Sequence, residues 1–401
     1  MNLTELMELS ERYVLRTYGR FQVGFVRGEG ARLWDTEGKV YLDFLSGIAV
    51  CGLGHCHPRL VAALTEQASK LWHTSNLYYI EPQAQLARKL VERSVFDRVF
   101  FCNSGAEANE AAVKLARKYG HVRLGREAPE IIATWDSFHG RTLATVTATG
   151  QPKYQQGFEP LVPGFVHVPY NDLKAAQQAV NDQTCAVLVE PIQGESGIYP
   201  ATEEYLQGLR RLCDEQGLLL IVDEVQTGLG RTGKLFAYEH YGIEPDVMTL
   251  AKCLGGGFPI GAMLTKSHCA VLEPGNHAST FGGNFLATAV GNAVMDVLQE
   301  ENLVENAALV GEYFRGRLRE LQGKHPCIVE VRGMGLMNAV QLNSGNAPAL
   351  HDACLERGLI LNAIGNNILR FQPPLFITPR EVHEAVEILD QALTVTPPAA
   401  G

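Results

Sequence analysis

Two apolar runs of the chain end in residues that could do chemistry together. Leu218-Leu219-Leu220-Ile221-Val222 leads into Asp223-Glu224-Val225-Gln226, and Val247-Met248-Thr249-Leu250-Ala251 leads into Lys252, with Gly255-Gly256-Gly257 just beyond. A carboxylate or an amine that terminates a buried strand is carried to the edge of a sheet, where α/β proteins build ligand sites. A lysine whose surroundings favour the neutral amine is a nucleophile that forms imines with carbonyl groups. Taken singly, each residue is equally an ordinary solvated charge at a strand end.

A third segment, Phe100-Phe101-Cys102-Asn103-Ser104-Gly105-Ala106-Glu107-Ala108-Asn109-Glu110, passes from strand to helix. Ser104 and Glu107 have the spacing of a capping box. Gly105 allows close approach of backbone to a ligand. The helix start, at Gly105 and Ala106, offers unpaired N–H groups and a positive dipole end suited to a phosphate. Alone, the segment also describes a capped helix with no ligand. Beside the amine and the carboxylate it meets the needs of pyridoxal 5'-phosphate (PLP). That cofactor needs a lysine for its aldehyde, an aspartate to keep its pyridine nitrogen protonated so the ring can act as an electron sink, and a cradle for its phosphate.

The elements that must hold these groups are legible as alternating patterns. Residues 98–102, 130–134, 166–168, 185–189, 217–222 and 246–250 read as strands, several rich in Val, Ile and Leu as strands covered on both faces are. Helical stretches such as 106–119 and 202–215 lie between some of them. The alternation predicts an α/β fold, a large domain with a mostly parallel sheet between helices. Residues 287–322 read as a helical stretch, followed by a strand-like 328–340 and a helix at 347–357. Strands at 359–362 and 369–371 and a helix at 379–393 complete a smaller α+β domain. The expected division is an N-terminal segment 1–50 packing with the small domain, a large PLP-binding domain 51–290 and a small C-terminal domain 291–401. The final Pro-Pro-Ala-Ala-Gly reads as a frayed tail.

Bulk properties exclude other classes. The chain has 401 residues, enough for two cores, with 46% hydrophobic and 19% charged residues. A net charge of -10 argues against non-specific binding to nucleic acid or anionic membranes. The sequence contains no apolar run long enough to span a bilayer and opens without the pattern of a signal peptide. Nine irregularly spaced cysteines read as reduced thiols, so a cytoplasmic location is expected.

Several further segments occur in order: Leu71-Trp72-His73-Thr74-Ser75-Asn76, Phe138-His139-Gly140-Arg141-Thr142, Glu190-Pro191-Ile192-Gln193-Gly194-Glu195, Asp223-Glu224-Val225-Gln226-Thr227-Gly228, Lys252-Cys253-Leu254-Gly255-Gly256-Gly257, Ser279-Thr280-Phe281-Gly282-Gly283-Asn284 and Arg332-Gly333-Met334-Gly335. With the Asn103–Asn109 turn, they resemble class-III PLP aminotransferases, and most closely the branch acting on acetylornithine. The resemblance runs from about Gly28 to Pro374. It implies PLP fold type I and a homodimer with shared active sites. It implies that Lys252 carries the cofactor, that Asp223 pairs with the pyridine nitrogen, that Phe138 stacks on the ring and that Gln226 lies near its hydroxyl. Ser104, Gly105 and Ala106 would form the phosphate site, with Thr280 reaching in from the neighbouring subunit and Ser279 near the substrate. Arg141 would hold the α-carboxylate of acetylornithine and Arg370 that of glutamate, with Glu195 switching between pairing and releasing Arg370. Succinylornithine, ornithine and N-succinyl-diaminopimelate remain alternative donors. Cys253 and Ser196 depart from the family's alanine and glycine, and Asn362-Ala363-Ile364-Gly365-Asn366-Asn367 departs from its glycine-rich form.

Two patterns compete. Gly228-Leu229-Gly230-Arg231-Thr232-Gly233 fits the dinucleotide fingerprint G-x-G-x-x-G, but that turn should follow a first strand directly and open a helix, and here residues 223–227 intervene. Cys51, His55, Cys56 and His57 are a dense set of ligand types without zinc spacing or a second pair; no metal is expected, and they read as a turn before Pro58 and a helix.

Overall fold

The protein is described here from a computed structural model at residues 1–343 and 345–395; the Pro-Pro-Ala-Ala-Gly end lies outside the described residues. At its centre is a seven-stranded sheet. Its order is Arg98–Cys102, Gly261–Thr265, Val247–Leu250, Leu219–Asp223, Thr184–Val189, Glu130–Thr134, Phe165–Val168. The five strands from Val247–Leu250 to Phe165–Val168 pair in parallel. Gly261–Thr265 runs antiparallel to both its neighbours, so Arg98–Cys102 points the same way as the parallel set. The carboxyl ends at Cys102, Thr134, Val189, Asp223 and Leu250 therefore share one edge.

Alternation along each strand divides the interior into two layers. Leu219 and Ile221 face one side with Ala186, Leu188, Val247 and the alanine-rich face of the Gly105–Val122 helix. Leu220 and Val222 face the other with Val187, Val189, Met248 and Leu250, where the Glu203–Gln216 helix packs. The central strands are buried throughout, while the two outermost are only partly covered. Central positions are then mostly apolar, which is why these runs stood out in the sequence.

Beyond the sheet, the predicted helix over 287–322 is two helices, Phe285–Glu300 and Leu303–Lys324, separated where Asn302 turns left-handed at φ 52°. The stretch 328–340 is a hairpin of Ile328–Met334 and Met337–Leu342, turning at Gly335 with φ 54°. Residues 359–362 are not one strand. Leu359–Ile360 joins the N-terminal sheet alongside Val40–Asp43, and Asn362–Ile364 joins an antiparallel sheet with Ile368–Phe371. The chain thus stitches its first residues to its last part, and Gln372 N–H donating to Phe44 O at 2.7 Å adds a further link. Gly261–Thr265 is a further strand, not expected from the sequence: its five residues show no alternation, and it is held as a strand by antiparallel pairing on both sides.

Neither competing pattern forms its expected structure. Residues 228–233 lie in consecutive turns and open no helix, so the dinucleotide alternative fails on geometry. His57 caps the Pro58–Ala68 helix, accepting from Arg59 N–H at 3.3 Å, and His55 Nε2 lies 2.7 Å from Asp43 Oδ2. Among the described residues no group of three or more metal-ligand side chains is gathered, and no helix is long and apolar enough to cross a membrane. All nine cysteines are free.

Candidate active site

A cavity of about 450 Å³ opens at the shared carboxyl edge of the sheet. Asp223, Gln226 and Lys252 line it from two adjacent strand ends, and Ser104, Gly105 and Ala106 from the helix start. Phe138 and Arg141 close it from the segment after the Glu130–Thr134 strand. Val50 completes one wall, carried by a turn in which Ser46, Gly47, Ile48 and Ala49 all have φ between 53° and 65°. Three of these residues bear a Cβ, and left-handed backbone costs such residues roughly 1–2 kcal/mol each. Lys252 itself is left-handed, with φ 43°. Strain of this kind concentrates where a side chain must be aimed.

At the helix start, Ser104 Oγ accepts from Glu107 N–H at 3.2 Å. The Glu107 carboxylate reaches back to Asn103 N–H at 2.6 Å, so the reciprocal arm of the capping box is displaced by one residue. A Cβ on Gly105 would come within 2.8 Å of Val225 Cγ1. The turn therefore leaves its N–H groups facing the cavity with no side chain between, which suits a phosphate.

Asp223 is held from three sides. Asn109 Nδ2 and His139 Nδ1 meet its Oδ2 at 2.7 and 2.8 Å, and Val225 N–H donates to its Oδ1 at 3.0 Å. Asn109 is itself fixed by Thr249 Oγ1, which donates to its Oδ1 at 2.8 Å. A carboxylate so oriented at the cavity wall complements a protonated pyridine nitrogen. The sequence reading quoted Asn109 and His139 within motifs without giving them a role. Their connection to Asp223 spans 114 and 84 residues, so no local pattern could carry it.

Lys252 is enclosed by charged groups. Burial pulls its amine down to about 8, with Glu195 pulling the other way and Arg370 adding to the fall. Glu190, buried at the end of the Thr184–Val189 strand, moves oppositely: burial, reinforced by Asp223, pushes its carboxyl well above the usual range. It accepts from Phe138 N–H at 3.1 Å and Gly194 N–H at 3.4 Å, tying the ring-bearing segment to the loop that carries Glu195. The sequence showed Glu190 as the first residue of a quoted motif but gave no sign that it faces the cavity.

Glu195 and Arg370 meet at this site from distant parts of the chain. Arg370 Nη1 donates to Glu195 Oε1 at 2.8 Å and to Gly194 O at 2.9 Å, while its Nη2 donates to Asn362 Oδ1 at 2.8 Å. Gln226 Nε2 donates to the same Glu195 oxygen at 2.8 Å, and Gln372 supports Gln226 at 2.9 Å. Burial would raise the Glu195 carboxyl, but Arg370 and Lys252 hold it down at about 2. Ser279 Oγ accepts from Asn103 Nδ2 at 3.1 Å, next to the cradle. Thr280 is exposed and lies outside the lining of this cavity.

These residues fit PLP. The groups match its functional parts one by one: a depressed amine, a fixed carboxylate, an aromatic face and a side-chain-free N–H cradle. The buried His139 Nε2 and Arg370 Nε have no hydrogen-bond partner within the chain, leaving unused polar capacity at the site. An enzyme of PLP-dependent group transfer is the class that this fold and site define.

Over residues 13–393 the chain matches the family model "Aminotransferase class-III", and it belongs to that family, whose cofactor is PLP. It is 52% identical to an acetylornithine aminotransferase of Caldanaerobacter subterraneus subsp. tengcongensis, over 97% of this chain and 99% of that one. Among solved structures it resembles the ornithine aminotransferase of Toxoplasma gondii, which shows partial occupancy of PLP at its active site. That likeness has a TM-score of 0.95 and 36% identity, covering 98% of this chain and 95% of that one. It also resembles the acetylornithine aminotransferase of Elizabethkingia anophelis, with a TM-score of 0.89 and 39% identity, covering 98% and 99%.

A depressed amine makes Lys252 the candidate reactive lysine of the site. The rate at which apoenzyme captures PLP covalently should rise with pH through a midpoint near 8 and level off above it, well below the 10.5 of an ordinary lysine. Lys252→Ala should fold, as judged by circular dichroism, yet yield no PLP fixed by borohydride in mass spectra. Undiminished fixation at another lysine would reject the assignment.

Proposed function

We propose that the chain transfers the side-chain amine of N2-acetyl-L-ornithine to 2-oxoglutarate, giving N-acetyl-L-glutamate 5-semialdehyde and L-glutamate, in arginine biosynthesis. The observation that carries this reading is the Glu195–Arg370 pair beside Lys252, at 2.8 Å. The likeness to acetylornithine aminotransferases supports the choice of donor. Ornithine, succinylornithine and N-succinyl-diaminopimelate donors are the alternatives.

When bound, PLP supplies the electron sink that makes a proton on the amine-bearing carbon acidic. The chain does the rest. Lys252 Nζ, largely neutral above pH 8, takes that proton and returns it. Asp223 keeps a positive charge at its carboxylate, and the Ser104–Ala106 turn anchors the phosphate. Phe138 would cover the ring face, and Gln226 would sit beside the ring hydroxyl. Arg141 meets the α-carboxylate of acetylornithine, far from the reacting amine. The α-carboxylate of glutamate lies close to the cofactor and takes the fork of Arg370. With acetylornithine bound, Arg370 would face an uncharged chain, and an unpaired buried cation is costly. Glu195 pays that cost by pairing with it, and gives way when a dicarboxylate enters.

Assembly as a homodimer with shared sites follows from the same reading. Trp72, Leu77, Tyr78, Tyr79 and Phe281 are all exposed, a concentration of apolar side chains that monomers seldom carry. Asn76 Nδ2 donates to Gly282 O at 2.8 Å, which holds the two segments together around Ser279 and Thr280. Thr280 then completes the partner's phosphate site, and Ser279 lies near its substrate. We assign residues 1–50 to the small domain with 291–401, the large domain being 51–290, and place the enzyme in the cytoplasm.

Comparison of kcat/KM for the four donors with 2-oxoglutarate should favour acetylornithine; a higher value for another donor replaces that assignment. Separate single turnovers test the switch. Glu195→Gln should slow the acetylornithine half-reaction about tenfold or more relative to glutamate, while Arg370→Ala should chiefly impair the 2-oxoglutarate half-reaction. An equal change in both half-reactions for Glu195→Gln rejects the switch. Thr280→Ala should weaken PLP affinity, and dilution that separates subunits should release cofactor; a fully active monomer in sedimentation would rule out shared sites.

A further inference from the structure

Outside the cavity lining, one aromatic ring gathers two cations at the mouth of the site. The Arg141 guanidinium lies 3.8 Å from the centroid of the Tyr154 ring, and Lys153 Nζ lies 4.7 Å from the same centroid. Phe138 meets Tyr154 edge-on, with centroids 5.9 Å apart and planes at 84°. Arg141 is also 5.4 Å from the Phe138 ring. Among the described residues neither Arg141 nor Lys153 pairs with a carboxylate.

The ring is held firmly for one so near the surface. Tyr154 belongs to the short Pro152–Gln155 helix, and its N–H donates to Gln151 O at 2.9 Å. Gln151 Nε2 donates to Ser137 O at 2.9 Å, one residue before Phe138. Gln155 Nε2 donates to Thr149 O at 2.9 Å and to Thr147 O at 3.2 Å. Both sides of Tyr154 are therefore fastened to the backbone that presents Phe138 and Arg141.

Stacking on a ring uses the face of a guanidinium and leaves its N–H edge free. An exposed arginine without such a platform samples many rotamers and must lose that freedom when it captures an anion. We propose that Tyr154 is a positioning residue that pre-orients Arg141, with Lys153 as a second cation on the same ring, for the substrate carboxylate remote from the reacting amine. The proposal rests on Arg141 being the receptor for that carboxylate. It deepens that reading into a specificity device: a donor with a remote carboxylate gains from the platform, and one without it does not.

Steady-state kinetics of the holoenzyme with acetylornithine and with its decarboxylated analogue N-acetylputrescine test this, with donor binding also followed through cofactor absorbance. Tyr154→Met should raise KM and apparent Kd for acetylornithine about tenfold, with kcat within about threefold and binding of acetylputrescine unchanged. Tyr154→Phe, which keeps the ring, should restore acetylornithine KM to within about twofold of the parent. Lys153→Met should raise it about threefold. Unchanged acetylornithine KM in Tyr154→Met overturns the proposal, as does an equal loss for both donors or failure of Tyr154→Phe to rescue. Arg141→Ala separates the two levels. If it raises acetylornithine KM while Tyr154→Met does not, only the role of Tyr154 falls. If Arg141→Ala leaves that KM unchanged, the carboxylate-receptor reading falls and the proposal with it.

Discussion

Three ionisable groups on the cavity wall, Lys252, Asp223 and Glu190, lie within electrostatic reach of a buried pair just behind it, Glu195 and Arg370, and the need to neutralise them shapes everything around the site. All five converge where water is scarce, and an unpaired charge in such a place costs several kcal/mol. The protein meets this in two ways. Lys252 and Glu190 shift toward their neutral forms, the first drawn down to about 8 and the second pushed up by burial. Glu195 and Arg370 keep their charges by pairing, and Asp223 is secured by three donors. A neutral lysine is also the form that imine chemistry requires, so the same burial that threatens stability suits Lys252 to the role proposed for it.

That constraint dictates how the parts of the chain must meet. Arg370 is only 1% exposed and sits on a strand of the C-terminal antiparallel sheet, yet its partners Gly194 and Glu195 belong to a loop that follows the central sheet. The two sheets are therefore held at a fixed separation by a buried guanidinium. Arg332, two strands away in the same sheet, reaches the same loop by donating to Gly197 O at 2.7 Å. Arg231, with no carboxylate near, bonds to Leu336 O and Pro373 O across the same boundary, and burial lowers it to about 10. Backbone carbonyls thus serve as the main counterpart for cations at this junction.

The rim of the site holds charge by other means. Arg141 is exposed and lies against Tyr154 and Phe138 in place of a carboxylate partner. Inside, a permanent counter-ion is needed because solvent is absent; at the mouth, water screens the cation and an aromatic face orients it without consuming its donors. A carboxylate meeting Arg141 would displace water alone, whereas one meeting Arg370 would compete with Glu195, which already pairs with it.

Much of this was legible in residue order because it is local. Buried central strands are mostly apolar on both faces, so 185–189 and 217–222 declared themselves, and the residues ending strands could be read as edge residues at once. Ser104, Gly105 and Ala106 gave the helix start for the same reason. Where the outcome depended on a partner far along the chain, the pattern was silent. The strand Gly261–Thr265 exists because it fits between Arg98–Cys102 and Val247–Leu250, and residues 359–364 divide between two sheets because each half finds a different neighbour. Asn109 and His139 gain their role only when Asp223 is brought beside them, and Glu190 only when its strand end is set next to that of Asp223. Tyr154 looked like any surface tyrosine until the fold laid Arg141 across it. Sequence by itself determined the kinds of groups available and the elements that carry them, because periodicity and capping act over a few residues. Tertiary structure alone decided which groups are buried together, and with that their charge states, because desolvation and pairing are properties of the assembled pocket.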